Sequence, residues 1–486
     1  MLASAAMRRA LSPSLFLLAL SLLVARDAQA QTAASPLATR LAEVVAEAGA
    51  GDQVSVTVMD ASTGTVLFAH QGDLALNPAS NQKLVTAAAA LSRLGPEFRM
   101  RTALYGRVDG DGVATLSLRG YGDPSLGQAD LIELARDLAD HGVRRVGEIV
   151  VDATYFDDQI LPPAFEQQPN EIAPFRAATG AVSVDGNAYV LRVLPGATVD
   201  APARVRLDGA GYFALESTIT TAGEGQPQII ATQRDQGARM QLVLRGTMPL
   251  GITGVSYRRR IENPLPWSGW LMRDALAAAG IRSGESVRVA ATPSGSALLA
   301  QHSSRPLAEL VSLMGKQSDN FVAEMVFRVL GAERHAPGRA ADSVAVVREV
   351  LREAGVDPAR VELVNGSGLF QGNRIASTDL ARLLAWAYRD PGIRDEYVAH
   401  LAIGGVDGTL ASRLRDLPRA RIVRAKTGTL DDAIALSGYV LGPDAGRTVA
   451  FSVIVNGARG RLGAARGLCD GVARAVAEHL WSSPAR

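Results

Sequence analysis

Lysine is what this sequence most conspicuously lacks. Its 486 residues contain three, Lys83, Lys316 and Lys426, against a combined Lys+Arg count of 50. A chain that uses arginine for nearly every positive charge keeps lysine where guanidinium fails, because burial or a neighbouring cation can strip a proton from an ammonium but not from a guanidinium. Cysteine is almost absent as well, and Cys469 alone excludes an internal disulfide and a cysteine-based metal site. No charge of either sign is in excess: a net charge of +1 offers nothing for nucleic acid and allows at most peripheral contact with a membrane surface. None of the six histidines sits in an H-E-x-x-H, and no G-x-S-x-G elbow occurs. A Ser-His-Asp hydrolase is therefore disfavoured, and no metal or other cofactor is expected.

Long hydrophobic runs are also missing, with one exception. Arg8 and Arg9 precede "LFLLALSLLVA" (Leu15 to Ala25), and Ala28-Gln29-Ala30 has the small-x-small form of a cleavage site. The run is short for a membrane span, so residues 1–30 read as an export signal and the mature chain is expected in the periplasm. No ATP or NAD pool exists there, which favours hydrolysis.

The length implies two to three domains. Ser35-Pro36 opens a helix, and "QVSVTVMDASTGTVLFAH" alternates Val54, Val56 and Val58 before turning at Ser62-Thr63-Gly64. Asn77 and Pro78 then begin a helix with Ser80 in its first turn. From about Phe98 to Pro264 short β-like runs alternate with Gly, Pro and Asp, and helical texture returns at "NPLPWSGWLMRDALAAAGI". The end is again β-like, in "RIVRAKTGTL", "AIALSGYVLG" and "TVAFSVIVNG", followed by a final helix. The expected architecture is α+β. One five-stranded antiparallel sheet joins the first hairpin to the last three strands, flanked by helices. Residues 31–96 and 265–486 would form this discontinuous domain, and 97–264 an insertion of two small β-rich domains.

Three short motifs carry the chemistry. Ser80-Asn81-Gln82-Lys83 is S-x-x-K, a spacing that puts hydroxyl and amine on one helical face. Ser318-Asp319-Asn320 is S-D-N, and Lys426-Thr427-Gly428-Thr429 is K-T-G-T at the end of an extended run. Each alone is weak; their occurrence together in this order is not. Active-site-serine penicillin-binding proteins and class A β-lactamases carry this trio.

The chain resembles the class C low-molecular-mass penicillin-binding proteins, the D-alanyl-D-alanine carboxypeptidase/endopeptidase group. Beyond the trio, "GYGDPSL" (Gly120 to Leu126), "VVDATYFD" (Val150 to Asp157), "NGSGL" (Asn365 to Leu369) and "GVDGTL" (Gly405 to Leu410) are similar to stretches of that group. The long gap between Ser80 and Ser318 also separates the chain from class A β-lactamases, whose motifs lie closer together. The resemblance implies a β-lactamase/transpeptidase-like fold and a serine DD-peptidase acting on peptidoglycan peptides, with β-lactam antibiotics as covalent inhibitors. It implies that Ser80 attacks, Lys83 takes its proton, Ser318 relays a proton to the leaving amine and Asn320 holds the substrate amide. Lys426, Thr427 and Thr429 would bind the terminal carboxylate, Gly428 would let substrate lie along the strand, and the N–H groups of Ser80 and Thr429 would form the oxyanion hole. Two positions depart from the pattern that grips a diaminopimelate side chain: Gln371 stands where the group has arginine and Asp431 where it has a polar amide, and Arg374 is either a substitute or, as is commoner for a loop arginine, simply solvated. The alternatives are a β-lactamase or esterase on the same scaffold, and a wall-binding protein whose chemistry has decayed.

The rare lysines supply a direct test. Lys83→Arg should slow acylation by a penicillin by roughly 10²–10⁴, the range for a lost general base. Lys426→Arg should retain part of the rate, because its role is mainly electrostatic, and Lys316→Arg should be mildest. Equal rates for the variants at 83 and 316 would show that position 83 does not need to titrate.

Overall fold

The computed structural model describes residues 35–482. The expected export signal lies outside them. A helix α1 (Pro36–Glu47) starts where Ser35 accepts from Ala38 N–H at 3.1 Å. It leads into the hairpin β1 (Val54–Asp60) and β2 (Val66–His70), whose turn is closed by Asp60 Oδ1 accepting from the N–H groups of Ser62 and Thr63. At the other end of the chain β3 (Val423–Thr429), β4 (Ala433–Val440) and β5 (Val449–Asn456) form a meander. β1 pairs antiparallel with β5, Val54 opposite Val455 through Asp60 opposite Val449, so the two chain ends share one sheet. The order is β3-β4-β5-β1-β2, the five expected strands, with a sixth two-residue strand, Ala402–Ile403, against the outer edge of β3.

Both faces of this sheet are covered. Val54, Val56 and Val58 pack in one apolar cluster with Leu37 and Leu41 of α1 and with Leu468, Val472 and Val476 of the last helix (Leu462–Ser482). The polar residues between those valines do not reach water. Ser55 and Thr57 are buried and meet the Ser377 hydroxyl, both at 2.8 Å, at the start of the helix Ser377–Arg389. A strand whose pattern reads as half-exposed is thus buried on both sides, with its hydroxyls satisfied.

The inserted block is larger than the sequence indicates. Its main sheet contains Arg101–Gly106, Gly112–Gly120 and Arg145–Asp152, and it takes up the later segments Arg282–Ser283, Val287–Val289 and Ala297–Ser303. Two three-stranded sheets fall between residues 188 and 260. The helix Pro264–Ala278, expected to open the return to the catalytic domain, belongs to the insert's core instead. Trp267 is fully buried, with its ring 5.5 Å from Tyr212 and 5.7 Å from Phe213. Helical texture alone does not say which sheet an apolar stripe covers, and here it covers the insert. One apolar cluster runs from Leu104 to Ala300 rather than two separate ones. The chain leaves and re-enters at a stitched neck, where Ser304 N–H donates to Met100 O and Met100 N–H to Ser304 Oγ, both at 2.9 Å. We therefore place the insert's limits near Met100 and Ser304, not at 97 and 264.

This assignment makes a prediction about stability. Trp267→Ala should cost about 3–5 kcal/mol in denaturant unfolding, with the loss in the transition of the insert. A change within about 0.5 kcal/mol, the size of an ordinary surface substitution, would show that the helix does not carry the insert's core.

Candidate active site

The nucleophile motif is not one continuous α-helix. Ser80 lies on a tight 3₁₀ turn, Ala79–Asn81, that precedes the helix α2 (Gln82–Leu94). Asn77 sets the turn, its Oδ1 accepting from Ala79 N–H at 2.9 Å. Ala79 has φ of +48°, an unfavourable conformation for a residue with a Cβ. Two glycines make room for it. A Cβ on Gly368, in "NGSGL", would lie 1.9 Å from Ala79 O, and one on Gly428, in the K-T-G run, 2.7 Å from Pro78 O. Each motif's glycine is the point where another chain segment meets the nucleophile turn. Asn81 ties the turn to the sheet: its amide nitrogen donates to Lys426 O at 2.8 Å and its oxygen accepts from Ser437 Oγ at 2.7 Å.

Lys83 is fully buried, one turn beyond Ser80. Its Nζ is 2.7 Å from Asn320 Oδ1, 2.7 Å from Ser367 O and 3.0 Å from Ser80 Oγ. The first two partners are carbonyl oxygens and only accept, so they occupy two N–H groups. A neutral amine has no more to give, and its lone pair is left for the Ser80 hydroxyl. Burial lowers the Lys83 pKa from 10.5 to about 7, against the opposing pull of the Glu324 and Asp319 charges. Of the two causes the sequence allows, a closed pocket and a nearby Lys426, the structure gives the role to the first. Lys426 is itself pushed well down, by burial first and then by the neighbouring Lys83 charge.

The helix α3 (Leu307–Lys316) and the helix α4 (Asn320–Arg334) meet at S-D-N. Ser318 turns the corner with φ of +59°, and its Oγ accepts from Lys426 Nζ at 2.8 Å. Asp319 caps α4, its side chain accepting from Val322 N–H at 3.0 Å. Asn320 puts Oδ1 on Lys83, while its Nδ2 donates to Phe175 O of the insert at 3.2 Å. Lys316 lies apart: its Nζ pairs with Asp407 at 2.7 Å and donates to Leu401 O at 3.0 Å, holding the "GVDGTL" turn in place.

Just past the end of β3, Leu430 and Ala433 of β4 exchange both backbone hydrogen bonds with each other. Alternation along an antiparallel ladder then turns the Thr429 N–H away from β4, toward the cleft. The short outer strand covers only Arg424 and Ala425, so the β3 edge from Lys426 onward is unpaired. Thr427 Oγ1 contacts Thr409 Oγ1 at 2.8 Å, and Thr429 is exposed. A cleft of about 480 Å³ opens between Ser80, Ser318, Asn320 and Thr429. The arrangement suits acyl transfer: a hydroxyl beside a titratable amine, a second hydroxyl–lysine pair, N–H groups at the nucleophile turn and strand end, and an open edge for an extended substrate.

Sequence reasoning missed two things here. One is Glu324, buried one turn beyond Asn320, whose carboxylate accepts from Ser367 N–H at 2.7 Å and Gly366 N–H at 3.2 Å. It fixes the turn whose Ser367 carbonyl holds Lys83, and burial raises its pKa. An acid on the otherwise apolar run "NFVAEMVF" was the available signal. The other is the insert's share of the wall, with Gln167, Gln168 and Phe175 lining the cleft. Asp431 lines it too. Gln371 also lines it, with its Oε1 accepting from Asn77 Nδ2 at 3.0 Å and its backbone N–H and C=O bonding the Gln167 side chain at 3.1 Å each. Arg374, whose backbone pairs with Glu362, is not among the residues lining the cleft, whereas Arg459 is. Among the described residues no group of three His, Cys, Asp or Glu is placed to hold a metal ion.

The geometry carries a pH dependence. Lys83 acts as a base only when neutral, so acylation should rise with pH through a midpoint near 7 and fall as the amine protonates below it. A rate profile flat from pH 5 to 9 would remove Lys83 from that role.

Comparison with known proteins gives a consistent set of relatives. The profile of the D-Ala-D-Ala carboxypeptidase 3 (S13) family matches residues 37–473. A D-alanyl-D-alanine carboxypeptidase of Actinomadura sp. (strain R39) is 33% identical over 425 residues, covering 83% of this chain and 78% of that one. The D-alanyl-D-alanine carboxypeptidase DacB of Haemophilus influenzae is 25% identical, covering 84% of this chain and 86% of that one. Among solved structures, penicillin binding protein 4 (dacB) from Haemophilus influenzae superposes with a TM-score of 0.73 at 23% identity, over 86% of this chain and 93% of that one. The same protein complexed with a novel beta-lactam gives 0.71 at 22% identity. The α+β fold expected from the sequence is the fold of these structures.

Proposed function

Since the chain belongs to the D-Ala-D-Ala carboxypeptidase 3 (S13) family and is a serine-type D-Ala-D-Ala carboxypeptidase, we propose that it works through an acyl-enzyme on Ser80. The observation that carries this reading is the set of three contacts around Lys83, which leaves its lone pair for the Ser80 hydroxyl. In the proposed sequence Lys83 Nζ takes the Ser80 proton as Oγ bonds to the carbonyl carbon between the two D-alanines. The oxygen of that carbonyl becomes negative and is received by the N–H groups of Ser80 and Thr429. The C–N bond then breaks. The proton reaches the departing amine through Ser318, whose hydroxyl is held by Lys426, and D-alanine leaves. Water hydrolyses the ester and restores the Ser80 hydroxyl.

Substrate would lie along the open edge of β3 as an added strand. Lys426, Thr427 and Thr429 would receive its terminal carboxylate, while the Gly428 backbone groups face Ala435 of β4 and its missing side chain leaves room for the nucleophile turn. Asn320 has one amide hydrogen bonded to Phe175 O, which leaves the other for the substrate's peptide group. Peptidoglycan peptides are the natural substrates in this reading, and a β-lactam acylates Ser80 as a mimic of them. Export to the periplasm accords with the basic and then apolar start of the sequence. Among the described residues no helix is long and apolar enough to cross a membrane.

Purified protein incubated with a fluorescent penicillin and with a D-Ala-D-Ala peptide tests the reading. Stable labelling together with D-alanine release is expected. Ser80→Ala should abolish the label and keep the fold, since only one hydroxyl at the cleft is lost. Labelling of Ser80→Ala at the wild-type level would remove Ser80 from its role, rapid turnover of the penicillin would favour a β-lactamase, and inertness would favour a binding protein.

A further inference from the structure

Asn320 is the residue at which the inserted block touches the reaction chemistry. A side-chain amide is nearly symmetric in shape, and its partners alone decide which end is oxygen. In this site the two ends have opposite requirements. Lys83 Nζ, 2.7 Å away, needs an acceptor, and the Phe175 carbonyl, 3.2 Å away, needs a donor. Turning the amide over would set Nδ2 against the Lys83 N–H and Oδ1 against a carbonyl oxygen. The Phe175 carbonyl therefore selects the orientation that gives Lys83 its acceptor.

The loop that carries Phe175 is fastened on both sides. Toward the insert, buried Arg176 donates to Phe165 O at 2.8 Å and buried Arg260 to Glu171 O at 2.7 Å. Toward the catalytic body its flanks are anchored by Asn365 Nδ2 donating to Pro163 O at 3.0 Å and by Ala177 in that body's apolar cluster, and the loop itself by the Phe165–Phe370 ring contact, 5.6 Å between centroids, and the Gln167 side chain. Gln167 bonds both backbone groups of Gln371 at 3.1 Å, as an acceptor for the N–H and a donor to the C=O. Gln167 is otherwise exposed and supports no core. Its geometry is that of a clasp across the cleft.

We propose that the loop of residues 165–176 is part of the general-base apparatus, with Gln167 as the positioning residue that keeps the Phe175 carbonyl on Asn320 and closes the Lys83 side of the cleft to water. The insert then does more than contact substrate: its docking decides whether the amine at position 83 is oriented and dry. Burial is the leading cause of that amine's low pKa, so loosening the clasp should raise it. The inference rests on Lys83 being the base of an acyl-transfer site.

The test compares wild type with Gln167→Ala, Gln167→Glu and Phe175→Ala, reading penicillin acylation rate against pH, KM for a D-Ala-D-Ala peptide, and Tm. Gln167→Ala should keep its Tm, acylate about ten- to a hundredfold more slowly at pH 7 and move the acidic midpoint up by about one unit. Gln167→Glu keeps the acceptor for the Gln371 N–H but loses the donor to its carbonyl, and should fall between wild type and Gln167→Ala. Phe175→Ala keeps the backbone carbonyl, so it should raise the peptide KM with the midpoint unmoved. If Gln167→Ala matched wild type, or lost rate with an unchanged midpoint, the proposal would be overturned. A wild-type protein that takes no label at all is a different failure, that of the acyl-transfer reading beneath it.

Discussion

The burial of one amine organises the site. Lys83 sits without access to water among two carbonyl oxygens and a hydroxyl, and its pKa of about 7 against 10.5 in water corresponds to about 5 kcal/mol of disfavour for the ammonium form. The unfolded chain keeps that proton to near pH 10.5. The cost to stability is therefore full below pH 7 and is relieved as pH rises toward 10.5. Much of the surrounding structure serves this position. Glu324 fixes the Ser367 carbonyl, the S-D-N corner delivers Asn320, and glycines at 368 and 428 let two chain segments close on the strained turn of Ala79 and Ser80.

The same constraint explains why the site draws on distant parts of the chain. No local segment can dehydrate an amine from all sides. α2 brings Lys83, α4 brings Asn320 and Glu324, the "NGSGL" turn brings Ser367, and the insert supplies the Phe175 carbonyl that accepts from Asn320. A sheet built from both ends of the chain sets β3 against the nucleophile turn, with Asn81 bridging the two. The two lysines of the trio end in different environments: Lys83 faces Ser80, whereas Lys426 faces Ser318 and the Thr427 carbonyl. Lys316, the third, is an ordinary ion-pair partner outside the cleft.

The insert joins structure to function in a way its composition did not announce. Its core continues through the helix Pro264–Ala278 and the strand Ala297–Ser303, and its neck is stitched at Met100 and Ser304. Beyond the neck it settles against the catalytic body through Tyr155, Phe156, Ala177 and Ala181 in that body's apolar cluster and through the Arg328–Asp157 ion pair. Gln167, Phe165 and Phe175 add contacts at the cleft itself.

Sequence alone determined the α+β architecture, the joining of the two chain ends in one sheet, and the three motifs, because each is written in local pattern: alternation, capping residues and short fixed spacings. It also pointed to lysine 83 as the residue that must titrate, since rarity and side-chain chemistry are both visible in one dimension. The limits of the insert, Glu324, the Phe175 carbonyl and the Gln167–Gln371 clasp were decided only by tertiary structure. A backbone carbonyl has no residue identity to read. A buried acid is told from an exposed one only by what packs over it, and a helix at 264–278 declares its partner sheet only when both are folded. Dehydration of Lys83 is of the same kind, because water is excluded by segments hundreds of residues apart and no single stretch of sequence encodes the enclosure.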